Sequence, residues 1–392
     1  MNFGFVVRQL GKLLIVLILS LLAVAIWSLV HYLSIRETDP AGAASEWAAL
    51  WALLYTTAGG LVVGAGVWIM GRGGGDEYLG RREALVLVAL SWLIGAALAA
   101  MPYFLWANVT DQTVGADHPF GGYVACYFEA MSGLSTTGAT VLVDVESLPR
   151  GLLLWRSLTQ WLGGLGIVVL FVAVFPNLGA GGKHLYRGEA PGAQAEGFKP
   201  RIAETSMTLW KLYAAFTIIE MVLLAAFGMD LFEALCHALT TMSTGGFSTR
   251  DASVGGFGVP AFEWIIAIFM LIGSVNYGLY YLLLRGRDFG VLVRNIEFRT
   301  YVALVLLSTA LLALLNLDLH EYDFIASTRT ALFMVATTVS STGYGTDDYT
   351  AYGMPAFTIM LLIMFVGGCS GSTAGGIKIE RVVMLAKQTY AQ

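Results

Sequence analysis

The chain has 392 residues, of which 57% are hydrophobic and 12% charged, and its mean hydropathy is +0.71. A soluble domain carries roughly 25% charged residues, so the composition is that of a membrane protein. The net charge of −5 supplies no basic surface for nucleic acid, and three scattered cysteines and five scattered histidines supply neither a zinc pattern nor a disulfide set.

Eight apolar segments reach the length that crosses a hydrocarbon core of about 30 Å. They are 13–33, 47–70, 84–106, 151–180, 206–228, 257–284, 298–317 and 354–388. The first contains Ala23-Val24-Ala25, which imitates a signal-peptidase site, but apolar residues continue as far as Leu33, so it is read as a retained helix. Between the long segments lie three shorter ones, at 123–135, 231–243 and 325–340. They are too short to span and suit re-entrant helices. With the N-terminus in the cytoplasm, Arg8, Lys12, Arg72, Arg81, Arg82, Lys183, Arg187, Lys199, Arg201, Arg285, Arg287, Arg294, Arg299, Lys378, Arg381 and Lys387 all fall inside. The outer loops carry Asp111, Asp117, Asp144, Glu146, Asp318, Glu321, Asp323, Asp347 and Asp348. This asymmetry satisfies the positive-inside rule and puts every short segment on the external face.

Each short segment runs into a Ser/Thr-Gly cluster: Thr136-Thr137-Gly138, Ser243-Thr244-Gly245, and Ser341-Thr342-Gly343 followed by Tyr344 and Gly345. A helix, a short descending helix, a hydroxyl-glycine loop and a second helix therefore recur three times. Such a loop suits a dehydrated cation, whose lost water is replaced by inward-facing carbonyls. Glycine permits the backbone geometry, and the short helix aims its partly negative C-terminal end at the ion. Small residues that merely let helices approach would explain one such cluster; three, each after a non-spanning helix, point to a filter. Thr342–Gly345 also resembles the TVGYG loop of potassium channels.

The helix after each cluster is interrupted by glycine, at Gly163–Gly166, at Gly273–Gly278 and at Gly367-Gly368-Cys369-Ser370-Gly371-Ser372-Thr373-Ala374-Gly375-Gly376. The last run is too glycine-rich to remain helical and is read as an unwound loop below the filter, a gate. Gly371 and Gly376 have phosphate-loop spacing, but Ile377 stands where the lysine belongs and no strand precedes. Gly368–Gly371 has the form of a serine nucleophile site, but no histidine follows His320 to act as its base. No catalytic residues and no enzymatic activity are expected. Among other polar residues, Glu129 either lends negative potential to the filter mouth or is paired. Arg156 and Glu220 lie in or near spans, where charged groups are functional or paired. His237 is read as a hydrogen-bonding residue.

The three clusters, the Gly367–Gly376 loop with Ile377-Lys378, the Trp155–Gly164 run and Lys199–Thr205 together resemble the Trk/Ktr/HKT superfamily of potassium transporters, most closely its bacterial Trk-type transmembrane subunit. The resemblance covers essentially the whole chain. It implies an all-α polytopic membrane protein of the bacterial inner membrane, with a helix pair at 1–71 and pore repeats at 84–183, 200–286 and 297–392. It also implies K⁺ as the transported ion, with Na⁺ or Rb⁺ passing to varying degrees, and no covalently bound cofactor. The implied partners are the lipid bilayer, a second copy in a homodimer, and a cytosolic nucleotide-binding regulatory subunit of the TrkA type that acts on the intramembrane loop. The family has four repeats and this sequence carries three, so the chain is expected to be a truncated form that alone conducts poorly. A secondary transporter of an organic solute, with its site between broken helices at the midplane, is the alternative reading.

Overall fold

In the computed structural model the described residues are 3–73, 81–109, 118–164, 166, 202–286 and 289–390. The protein is an all-α polytopic membrane protein. Among the described residues five helices are long and apolar enough to cross a membrane, or six when one sharply bent pair is taken as a single span. Those residues divide into two compact units, one up to residue 166 with 202–206 and the other from Met207 onward.

The first unit opens with α1 (Phe3–Ile35) and α2 (Pro40–Met70). Asp39 starts α2, its carboxylate accepting the Gly42 amide at 3.0 Å, with Pro40 preset for the first turn. The two helices lie close because glycine faces backbone at both ends of the contact. A Cβ on Gly11 would sit 2.4 Å from Trp68 N, and one on Gly71 2.3 Å from Arg8 N. Next come α3 (Arg81–Ala99), α4 (Met101–Val109), the short α5 (Tyr123–Leu134) and α6 (Arg150–Gly164). Buried Glu46 ties the helix pair to this repeat, accepting Ser28 Oγ at 2.6 Å and the Gly151 amide at 3.1 Å. The Trp155 indole donates to Ala99 O at 2.9 Å. The expected basic residues Lys183, Arg187, Lys199 and Arg201, and the rest of the 151–180 span beyond Gly166, lie outside the described residues.

The second unit contains most of α7 (Ile202–Ala226), then the short α8 (Leu231–Met242), α9 (Pro260–Gly273), α10 (Tyr277–Gly286), α11 (Gly290–Arg294), α12 (Ile296–Leu315), α13 (Phe324–Ser340), α14 (Met354–Phe365) and α15 (Ile379–Tyr390). Asp230 and Asp323 cap α8 and α13, accepting the amides of Phe232 and of Ile325 and Ala326. The 12-residue helices α5 and α8 are about 18 Å long at 1.5 Å per residue, well short of a membrane crossing. The chain turns 89° between α9 and α10. Val275, Leu279, Tyr301, Val305, Met334, Val335, Ile363 and Cys369 share one core, so the Gly367–Gly376 loop packs into it through Cys369.

Candidate functional site

Each of α5, α8 and α13 ends in the same turn. After α5, Thr136 N–H reaches Gly133 O (3.0 Å) and Thr137 N–H reaches Ser132 O (2.9 Å). After α8, Thr244 N–H reaches Thr241 O (2.9 Å) and Gly245 N–H reaches Thr240 O (2.9 Å). After α13, Ser341 N–H reaches Thr338 O (3.2 Å) and Thr342 N–H reaches Thr337 O (2.9 Å). The backbone is left-handed at the first and third residue of every turn: Thr136 (φ 53°) and Gly138 (76°), Thr244 (53°) and Gly246 (78°), Ser341 (58°) and Gly343 (86°).

This register corrects the sequence alignment of the second cluster by one residue. Matching Ser-Thr-Gly triplets pairs Gly245 with Gly138 and Gly343. The backbone instead pairs Gly246 with them and puts Gly245 where the other turns carry Thr137 and Thr342. Triplet matching stops at the first glycine of a doublet, whereas the left-handed conformation selects the second. Ser243 correspondingly sits one place before the turn. Sequence reasoning missed Gly246, although the doublet was the available signal. A Cβ at Gly246 would stand 1.8 Å from Thr342 O, so the second and third turns abut closely; around Gly343 there is open space.

The chemistry of each turn follows from its hydrogen bonds. At least two of its three N–H donors are spent on the preceding helix, so its carbonyl oxygens outnumber the N–H groups left to meet a ligand. The helix C-terminus beneath adds partial negative charge. Both features favour a cation. The Tyr344 ring is buried, and its hydroxyl contacts Thr240 Oγ1 and lies 3.4 Å from His237 O, so that side chain braces α8. Beyond the third turn, the hydroxyl and amide of Thr350 hold the exposed Asp348 carboxyl below its usual range.

The glycine breaks sit directly against these turns. A Cβ on Gly163 would fall 1.8 Å from Leu134 O, and one on Gly273 would lie 3.5 Å from Met242 O; these are corresponding carbonyls of α5 and α8. The third break is an unwound loop from Val366 to Lys378, closed on itself by Gly367 N–H to Ile377 O (3.0 Å) and Ile377 N–H to Phe365 O (3.0 Å). Gly371 and Gly376 take left-handed φ of 71° and 73°. The loop is fastened from outside. Thr373 Oγ1 donates within reach of Met242 O (3.1 Å) and Gly273 O (3.0 Å), and Thr373 O accepts Thr244 Oγ1 (2.9 Å). Ser341 Oγ accepts the Gly375 amide (2.9 Å), and Cys369 N–H reaches Ser274 O (2.8 Å). The carboxylate of Glu297 accepts the Ser370 amide (2.6 Å), Ser370 Oγ donates to Glu380 (2.9 Å), and Lys378 Nζ donates to Ala374 O. Sequence reasoning placed the loop and missed its fasteners, because Glu297 and Met242 are distant in the chain.

The charged residues separate in the same way. Arg156 pairs with Glu129 inside the first unit, Nη2 lying 2.7 Å from Oε1 with both side chains almost fully buried, so Glu129 is paired. His237 bonds Glu233 O and Ser248 Oγ, as a hydrogen-bonding residue. Glu220 is buried beside Thr241 without a well-formed hydrogen bond. All three cysteines are free and buried.

The family model for TrkH, cation transport protein, matches residues 109–392. The chain belongs to the TrkH family. It is 40% identical over 331 residues to the Trk system potassium uptake protein TrkH of Salmonella typhimurium, covering 84% of this chain and 66% of that protein. It is 35% identical to the Trk system potassium uptake protein TrkG of Escherichia coli, covering 83% and 65%. It spans just under two thirds of the length of these curated relatives. The crystal structure of the potassium transporter TrkH from Vibrio parahaemolyticus matches with a TM-score of 0.80 at 30% identity, covering all of this chain and 76% of that one.

Proposed function

We propose that this TrkH-family chain takes part in potassium uptake across the bacterial inner membrane, multi-pass with its N-terminus in the cytoplasm. In this reading each of the three turns lends main-chain oxygens to the transported ion. The ion-facing residues are Thr136–Gly138, Thr244–Gly246 with Ser243 before them, and Ser341–Gly345, with Tyr344 contributing backbone only. The observation that carries the reading is the repetition of one uncommon backbone, left-handed at two positions two residues apart, after three helix C-termini. Backbone oxygens next to helix C-termini suit an alkali cation stripped of water. Gly367–Gly376 is the gate in this reading, because it is fastened to the second and third turns by single side chains. The relatives' printed name, Trk system potassium uptake protein, supports membership of a multi-component system; in this reading its other members are a regulatory subunit of the TrkA type and a second copy of this chain. No catalytic step is involved. Rb⁺ uptake in a potassium-uptake-deficient bacterium tests the proposal. K⁺ is expected to compete and organic solutes are not; competition by an organic solute alone would favour a solute carrier instead.

A further inference from the structure

The shared register of the three turns exposes a second recurring feature, in the side chains that flank them. Seven residues before the first left-handed position stand Glu129, His237 and Met334; four residues after it stand Thr140, Ser248 and Gly345. In the first repeat these two positions bond directly, Thr140 Oγ1 lying 2.9 and 3.0 Å from the Glu129 carboxylate oxygens. In the second they bond again, His237 Nε2 to Ser248 Oγ at 3.0 Å. The hydroxyl is oriented identically in both cases. Thr140 Oγ1 accepts the Leu142 amide (3.1 Å) and Ser248 Oγ accepts the Arg250 amide (3.0 Å), each two residues onward. The Glu129 carboxylate can only accept, so the Thr140 hydroxyl donates its hydrogen to the pore helix. His237 can receive the Ser248 hydrogen, because Nδ1 lies 2.8 Å from Glu233 O and must carry the ring proton, leaving Nε2 as acceptor. The third repeat cannot make this bond with methionine and glycine. There the Gly345 amide donates to Ser253 Oγ (3.2 Å) and Gly345 O accepts the Gly255 amide (3.0 Å), from a neighbouring loop.

We propose that Glu129–Thr140 and His237–Ser248 are equivalent positioning pairs that hold the strand leaving each turn at a fixed angle to its pore helix, and so set the selectivity of the first two turns. Arg156 serves the first pair, with Nε on Glu129 at 2.9 Å and Nη2 on Thr140 at 3.3 Å. The Val141 amide, also on Glu129 at 3.0 Å, fastens the strand itself. The third strand is held from the loop side alone. The role assigned to these pairs rests on the filter reading given above; their existence as clamps does not.

The test uses Thr140→Val, Thr140→Ser and Ser248→Ala, none of which alters a turn residue. Hydrogen exchange in the purified protein reads the clamp whether or not the protein transports. Thr140→Val is expected to speed exchange of the Val141 amide, which is held by Glu129 and not by the substituted side chain, by roughly five- to tenfold, while Thr140→Ser matches the parent. Unchanged exchange would overturn the clamp. Rb⁺ and Na⁺ uptake in the deficient bacterium then reads positioning: the Rb⁺:Na⁺ ratio should fall several-fold for Thr140→Val and Ser248→Ala and be retained by Thr140→Ser. Faster exchange with an unchanged ratio would make the pairs merely structural and overturn the positioning role. Absence of Rb⁺ uptake by the parent protein would instead contradict the filter reading.

Discussion

The three turns and the Gly367–Gly376 loop are both irregular, glycine-rich backbone within a membrane protein, and they are held in opposite ways. Each turn closes on the last residues of its own helix, Thr136 on Gly133 and Thr137 on Ser132 in the first. The loop is fastened by partners remote in sequence: Ser341 is 34 residues from Gly375, Glu297 is 73 from Ser370, and Met242 is 131 from Thr373. Local closure lets a turn form with its helix and keep its shape whatever the loop does. The bonds that fasten the loop, side-chain and backbone alike, are distinct from those that close a turn, so on the gate reading proposed above the loop detaches without unravelling a turn. A fixed site beside a releasable one is the arrangement a filter and a gate require.

Substitutions on either side of this contrast can break it, and the largest effect is expected at the buried ion pair behind the first turn. Arg156→Met leaves Glu129 buried without its cation and should destabilise the protein by about 3–5 kcal/mol, whereas the double variant with Glu129→Gln should recover much of the loss. Thermal unfolding of the two singles and the double measures this. Gly246→Ala combines a left-handed φ with a Cβ placed 1.8 Å from Thr342 O. It should cost about 2–4 kcal/mol and reduce Rb⁺ uptake at least tenfold. Thr373→Val removes the hydroxyl shared between Met242 O and Gly273 O, for a loss of about 1–3 kcal/mol. Its informative signature is in transport: Rb⁺ flux should rise while the Rb⁺:Na⁺ ratio holds, since the turns close without the loop. A fall in both would mean that loop and turns form one rigid body. Gly343→Ala meets no neighbour and bears only the left-handed penalty, about 1–2 kcal/mol, measurable as a shift in unfolding temperature smaller than that of Gly246→Ala.

Much of this architecture is legible in the sequence, because hydropathy and helix length speak directly to a membrane. The short segments expected at 123–135, 231–243 and 325–340 are helices at Tyr123–Leu134, Leu231–Met242 and Phe324–Ser340. The glycine runs expected to break helices coincide with the end of α6, the 89° bend and the unwound loop. Register was less legible. Two adjacent glycines are equivalent to a pattern and not to a backbone, which needs φ > 0 at one of them only. Side-chain partners were least legible. Nothing in the spacing of Glu129 and Arg156, or of Glu297 and Ser370, signals contact until the helices are packed. The equivalence of Glu129 with His237 stayed hidden because a carboxylate and an imidazole share no sequence likeness, only the ability to accept a hydroxyl hydrogen.

The most direct test compares Gly245→Ala with Gly246→Ala for Rb⁺ uptake in the same deficient bacterium. The turn register puts Gly245 at a position where the other two turns carry threonine, so alanine there should leave most of the uptake intact, while alanine at Gly246 abolishes it. Uptake lost with Gly245→Ala and kept with Gly246→Ala would contradict the shared register, and with it the claim that the three turns present equivalent oxygens to the ion.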